Sequence, residues 1–378
     1  NEPDDAQHAF LAACHARLGD TARAEAHRTK TLGLNPAFTV AGYLPTLHYK
    51  DPADLEHHEE SLLLAGLPET VPGATVNRLC GSGLEAISAA ARAVRCGEIQ
   101  LALAGDVESM SRAPWSMPKP DRVPTFSPPK MYDTTVGWRY ENPKMNAMYP
   151  IVSLGQTAEN IAEEMQITRD EQDAYAVESH RRAVAAISGG KFKNEIHPIS
   201  IPQRKGDPIV IDTDEHPRMK NEDGEWVLAT DQADMGRLRT SFKKDGTVTA
   251  GNSSGINDGA AAALVMDAEK AKELGLKPKL RWVGSASAGV DPGVMGYGPV
   301  PATQKLLKRF GLSVDDIELF EINEAFAAQV MGCQRQLGID HEKLNVNGGA
   351  ISLGHPLGCS GTRIMVTLMN EMERRAKD

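Results

Sequence analysis

The chain has 378 residues, 41% of them hydrophobic, and a formal net charge of -10. That length can bury large cores and suggests two or three domains, while the acidic balance argues against nonspecific nucleic-acid binding and leaves any anionic ligand needing a local basic patch, for which Arg204-Lys205 is a candidate. No apolar run reaches bilayer length, and Asn1-Glu2-Pro3-Asp4-Asp5 lacks the basic and apolar parts of a signal peptide, so the expected setting is the cytoplasm with no membrane partner.

Five cysteines (Cys14, Cys80, Cys96, Cys333 and Cys359) are scattered, odd in number and free of CxxC spacing. They read as reduced thiols, with neither a disulfide framework nor a metal site.

From the N-terminus, Ala9 to Leu18 and Thr21 to Leu34 read as two amphipathic helices joined at Gly19-Asp20, the second ended by Asn35-Pro36. The Gly19, Ala24 and Pro36 spacing resembles one tetratricopeptide repeat, and Asp51-Pro52 opens a third helix whose Leu55, Leu62 and Leu63 share a face. A single repeat cannot bury its own face. The first 65 residues are therefore expected to be either a helical docking module or unrelated sequence joined by an error of gene assembly, and the second reading is preferred. His57-His58, adjacent on a helix, cannot share a face and form no metal site.

From Val71 the pattern becomes α/β. Arg78-Leu79-Cys80-Gly81-Ser82-Gly83 leads into a helix with Leu84, Ile87, Ala91 and Val94 along one side, then into the apolar strand Leu101-Ala102-Leu103-Ala104. A cysteine at a helix start meets unpaired N–H groups and the positive end of the dipole, both of which favour thiolate. Residues 112 to 239 are rich in proline, charge and methionine and read as an insertion carrying helices over 158–165 and 169–186. Thr247 to Met266 runs through glycines into an expected small-residue helix and a strand, and 279–290, 317–322 and 344–346 read as further strands. Leu357-Gly358-Cys359-Ser360-Gly361 repeats the earlier cysteine-glycine-serine turn and leads into a helix carrying Ile364, Leu368 and Met372, which suggests two related halves. The histidine of Gly354-His355-Pro356, presented by a glycine-rich turn, is a candidate base for Cys80.

Four ordered runs carry a resemblance to thiolases. They are Val76-Asn77-Arg78-Leu79-Cys80-Gly81-Ser82-Gly83, Thr249-Ala250-Gly251-Asn252-Ser253-Ser254-Gly255, Asn323-Glu324-Ala325-Phe326, and Asn345-Val346-Asn347-Gly348-Gly349-Ala350 through Gly354-His355-Pro356. Gln203-Arg204-Lys205-Gly206-Asp207-Pro208 and Asp214-Glu215-His216-Pro217-Arg218 resemble degradative members such as the 3-oxoadipyl-CoA thiolases.

The resemblance implies a duplicated α/β sandwich with an inserted loop domain. Its first half would run over 66–268 with the loop domain at about 112–240, and its second half over 269–378, after the tetratricopeptide-like segment at 1–65. It also implies cleavage of 3-oxoacyl-CoA by CoA, or the reverse Claisen condensation, through an acyl-enzyme on Cys80. His355 would be the base, and Asn323 would hold a water in the oxyanion hole. Arg218, Phe242, Ala250 and Ser254 are expected near coenzyme A, and Met295 and Phe326 near the acyl group. Coenzyme A and acyl-CoA enter as substrates with no resident cofactor, in a homodimer or homotetramer.

Two of these residues have a plainer reading as caps, Asn323 of a helix beginning at Glu324 and Ser254 of its own helix. The second catalytic cysteine of the family would fall beyond Asp378, and Cys359 reads as packing rather than its substitute. The opening strands of the family are likewise expected to be replaced, so low activity is expected of this chain. The rival from another class is a noncatalytic CoA-binding or helical docking protein. A ketoacyl synthase is disfavoured, because that relative places histidine where Asn323 stands.

Overall fold

The computed structural model describes residues 67–68, 70–119, 130–149 and 151–376. The tetratricopeptide-like helices, Cys14 and His57-His58 lie outside the described residues. The chain divides into two compact units, one of residues 1–105 with 262–278 and one of 106–261 with 279–378.

In the first unit, a 3₁₀ turn, Leu79–Gly81, runs directly into helix α1 (Ser82–Cys96). The apolar stripe read from the sequence faces inward, with Ile87 and Ala91 buried, and Gly97 ends the helix in the left-handed conformation at φ 76°. Strand β1 (Leu101–Glu108) extends the expected four-residue strand and pairs with β2 (Gly259–Met266).

The second unit is built on helices. Helix α2 (Leu154–Glu164) starts where the Ser153 side chain accepts from the Gln156 N–H, and α3 (Arg169–Ser188) starts on a capping box between Thr168 and Glu171. Two short antiparallel hairpins follow, Ile199–Ile201 with Ile209–Ile211 and Met219–Glu222 with Glu225–Leu228. Helices α4 (Pro299–Phe310), α5 (Ala327–Leu337), α6 (Ala350–Leu353) and α7 (Ser360–Arg375) complete the unit. The main core lies where α3 and α5 meet, with Tyr175, Ala176, Val330, Cys333, Leu344 and Ile351 in one buried cluster. Sealing the aliphatic side chains of Val330, Leu344 and Ile351 from water contributes about 1.5–3 kcal/mol each.

Two secondary-structure expectations differ from the fold. Residues 249–258 form a loop rather than a small-residue helix. The Asn252 side chain holds it, accepting from Thr249 N–H at 2.8 Å and donating to Asp173 at 2.8 Å and Thr247 O at 3.1 Å, so side-chain bonds replace helical ones. Of the strands expected at 317–322 and 344–346, the described residues keep isolated parallel bridges, Phe320 to Leu344 and Val346 to Gly348, and 279–290 forms no strand. β propensity produces a strand only where a neighbouring backbone completes the ladder.

Candidate active site

Cys80 lies in the 3₁₀ turn before α1 and is partly exposed. The turn is closed by Ser82, whose hydroxyl accepts from Arg78 N–H at 2.9 Å and donates to Leu79 O at 2.7 Å. Asn77 Oδ1 accepts from Leu79 N–H at 3.0 Å, and these bonds hold Leu79 at φ 50°, a left-handed conformation that a leucine adopts only when its surroundings impose it. Glu85 in the first turn of α1 would offset the positive helix end, but it bridges to Arg78 at 2.7 Å and to Arg92. The N-terminal N–H groups thus keep their pull on a thiolate at this position.

In the second unit, two runs singled out by the sequence meet. Ser254 N–H donates to Ala325 O at 3.0 Å, Ala327 N–H donates to Asn252 O at 2.9 Å, and Ser253 bridges to Phe326. The buried Phe326 ring meets Phe242 edge-on at 5.9 Å, with Val248 and Ala158 beneath. Ala250, Ser254, Phe242 and Phe326 therefore belong to one neighbourhood, with Ala250 and Phe242 open to solvent. The plainer readings of the two polar residues fail: α5 begins at Ala327 with Phe326 at its N-cap, so Asn323 caps nothing, and Ser254 stands in a loop. Met295 is placed by the 3₁₀ turn Pro292–Tyr297, and Arg218 by the edge of the second hairpin, where its N–H donates to His180 Nδ1 at 3.1 Å.

His355 follows α6 through Gly354, whose φ of 96° suits glycine, and a Cβ there would stand 2.6 Å from the Asn257 amide. Asn257 Oδ1 accepts the His355 N–H at 3.1 Å while its Nδ2 faces His216 at 3.5 Å. The loop beyond is held within the second unit, because Gly358 N–H donates to the Glu108 carboxylate at 2.8 Å. The imidazole is 4% exposed, with Nδ1 2.6 Å from Ser360 Oγ and Nε2 3.4 Å from Asn323 Nδ2. Burial, and secondarily the charge of Arg363, pulls its pKa down to about 4, so it is neutral at pH 7 and able to accept a proton. Asn323 Oδ1 is buried without a partner among the described residues, which leaves an acceptor for a water or ligand hydrogen beside the imidazole.

Both sides of this site rest on Glu324, which the sequence reading passed over. Its buried carboxylate accepts from Tyr175 O–H at 2.9 Å and Asn345 N–H at 3.0 Å on one oxygen, and from Ser179 O–H at 2.7 Å and Ile351 N–H at 3.1 Å on the other. One carboxylate thereby fixes the backbone after Asn323 and the helix leading to His355. A charged residue between the buried Ile322 and Phe326 was the available signal, since a buried charge demands partners. Asn257 and Ser360 carried no comparable mark. Cys333 and Cys359 are buried thiols pushed up to about 12, chiefly by burial, and are inert packing. Among the described residues no group of three or more His, Cys, Asp or Glu could hold a metal, and no helix is long and apolar enough to cross a membrane.

The family model for the thiolase N-terminal domain matches residues 50–269, and that for the thiolase C-terminal domain matches 276–378. The chain belongs to the thiolase family. It is 49% identical over 316 residues to a beta-ketoadipyl-CoA thiolase of Acinetobacter baylyi, covering 83% of this chain and 76% of that protein. It is 48% identical over 319 residues to an acetyl-CoA acetyltransferase of Thiocystis violacea, covering 84% and 77%. Among solved structures, human mitochondrial 3-ketoacyl-CoA thiolase superposes with a TM-score of 0.78 at 36% identity, covering 92% of this chain and 85% of that one. The acetyl-CoA acetyltransferase of Bacillus anthracis gives a TM-score of 0.76 at 40% identity, covering 86% and 79%. The thiolase match begins at residue 50, so the third helix of the sequence reading falls inside the matched span. As a thiolase, the chain is an acyltransferase of the acyl-CoA:acetyl-CoA C-acyl transfer class.

Proposed function

We propose that this thiolase cleaves 3-oxoacyl-CoA with Cys80 as nucleophile, His355 as base and Asn323 as the residue that holds an oxyanion-stabilising water. The observation that carries the reading is the buried neutral imidazole of His355 facing the Asn323 amide, whose second polar atom is left open.

In the cleavage half-reaction the Cys80 thiol gives its proton to His355, and the thiolate adds to the 3-keto carbon. Collapse breaks the bond between C2 and C3, leaving an acyl thioester on Cys80 and the enolate of acetyl-CoA, which takes at C2 the proton that His355 received from Cys80 and so returns the imidazole to its neutral form. In the second half-reaction the thiol of free CoA loses its proton to His355 and adds to the acyl-enzyme, and Cys80 departs as thiolate. Donors aimed at the developing oxyanion lower both barriers, and loss of one typically costs about 10²–10³ in rate. The Cys80 N–H is the proposed donor for the tetrahedral intermediates, supported by the left-handed turn that presents it.

Coenzyme A and acyl-CoA serve as substrates, with no resident cofactor required. Ala250, Ser254 and Phe242 are the proposed contacts for the pantetheine arm, Arg218 for the nucleotide, and Phe326 and Met295 for the acyl chain. The beta-ketoadipyl-CoA thiolases among the relatives support a 3-oxoadipyl-type substrate. The chain is proposed to work as a homo-oligomer, for which the exposed Trp115, Trp138 and Met148 offer apolar surface.

Thiolysis of acetoacetyl-CoA and of 3-oxoadipyl-CoA, followed with and without added CoA, tests the reading. Turnover abolished by Cys80→Ala, together with an acyl adduct on Cys80 in the mass spectrum, is expected. Binding of CoA with neither turnover nor adduct would overturn it in favour of a noncatalytic binding protein.

A further inference from the structure

Ser360 opens α7 and is fully buried, with its hydroxyl between two groups: His355 Nδ1 at 2.6 Å and Pro356 O at 3.0 Å. On the other side of the ring, Nε2 faces Asn323 Nδ2 at 3.4 Å. A carbonyl oxygen only accepts and an amide nitrogen only donates. One arrangement of protons satisfies all three pairs: the Ser360 O–H goes to Pro356 O, the imidazole N–H sits on Nδ1 and goes to Ser360 Oγ, and Asn323 donates to Nε2. The reverse arrangement would set an Nε2–H against the Asn323 amide hydrogens and leave Pro356 O with the Ser360 backbone N–H at 2.9 Å as its one bond from that residue.

We propose that Ser360 is a positioning residue that holds the His355 proton on Nδ1 and so keeps Nε2 as the proton-accepting atom toward Asn323. This rests on the assignment of His355 as the base.

The other half of the molecule contains the same device. Ser82 occupies the corresponding place in Leu79-Cys80-Gly81-Ser82-Gly83, opens α1, and spends its hydroxyl on its own turn, accepting from Arg78 N–H and donating to Leu79 O. In each half the first serine of the helix ties that helix to the turn presenting a reactive side chain. At Ser360 the accepting lone pair is turned to the imidazole instead of a backbone N–H. An imidazole locked by a hydrogen bond on one nitrogen is defined as a base at the other, so the device converts a helix start into a choice of tautomer. When Nε2 takes a proton, Nδ1–H remains bonded to Ser360, which keeps the ring in place through both half-reactions.

The test is ¹⁵N NMR of the full chain labelled at histidine, with the His355 signals assigned by their loss in His355→Gln, alongside thiolysis kinetics. At pH 7 the parent should show protonated Nδ1 and unprotonated Nε2. Ser360→Ala should shift the balance toward Nε2–H and lower kcat about 10- to 100-fold with little change in KM, and Ser360→Thr, which keeps the hydroxyl, should restore the Nδ1–H signature and most of the rate. Ser82→Ala removes the equivalent turn bonds and should leave the His355 tautomer unchanged, which separates a tautomer effect from general loosening of a helix start. An Nδ1–H signature that persists in Ser360→Ala would overturn the proposal, even if activity falls. The tautomer is read without turnover, so inactivity of the parent would sink the assignment of His355 as base while the NMR result still decides the role of Ser360.

Discussion

Replacing Glu324 with glutamine changes one oxygen to NH₂ and almost nothing in volume, yet it is expected to be among the more damaging substitutions in the second unit. The carboxylate receives four donors, two on each oxygen: Tyr175 O–H and Asn345 N–H on one, Ser179 O–H and Ile351 N–H on the other. The hydroxyls can rotate to accept from an amide. The two N–H donors cannot: Ile351 N–H is backbone, and the Asn345 amide is fixed by accepting from Ile322 N–H at 2.9 Å and donating to Ile322 O at 2.8 Å. Whichever way the glutamine turns, its NH₂ meets one of those rigid donors. An unsatisfied buried donor costs about 1–3 kcal/mol, and the surviving bonds lose their charge assistance, so a loss of about 2–4 kcal/mol is expected. Urea unfolding of parent and variant at pH 7 measures it, and thiolysis should fall in parallel as Asn323 and the approach to His355 relax. A variant within about 0.5 kcal/mol of the parent would refute the claim that this carboxylate organises the site, because that is the range of ordinary surface substitutions.

Three further predictions concern pH. His355 is held at about 4 in the folded chain against 6.5 for a free imidazole, so between those values the unfolded state binds the proton and the folded state does not. Stability attributable to this residue is therefore complete above pH 6.5 and lost at about 1.4 kcal/mol per unit as pH falls toward 4, and unfolding curves from pH 7 to 5 should lose this slope in His355→Gln. His180, lowered to about 3 by burial and then by Arg218 and His216, adds a like slope that His180→Gln removes separately. Glu321 has the opposite sign: burial first, opposed by Arg363 but reinforced by Glu324, Glu195 and Glu371, pushes it up to about 8, so the folded chain holds its proton where the unfolded chain has released it. Stability should fall as pH rises from 4.5 to 8, and Glu321→Gln should gain on the parent between pH 5 and pH 9 in thermal melts; equal shifts in both proteins would disprove it.

The local turns were legible in the residues themselves. Gly81 and Gly83 around Cys80 and Gly354 and Pro356 around His355 specify conformation within a few positions, and the amphipathic pattern located α2 and α3, although the Ser153 cap starts α2 at Leu154 rather than at the expected 158. The four motifs also carried the family. Strands were the weak point, as at 279–290, because a ladder depends on a neighbour that the local sequence does not specify.

What only the tertiary structure decided is the set of groups that surround and hold His355. Asn257 reaches its backbone from 98 positions away, and Tyr175 and Ser179 reach Glu324 from 149 and 145 positions away. Ser360 is near in sequence, only five positions from His355, yet its role depends on where the turn through Pro356 returns the chain. Sequence determines which residue types are present and how each short segment bends. Burial, proton placement and the closing of hydrogen bonds arise when distant segments share a volume from which water is excluded.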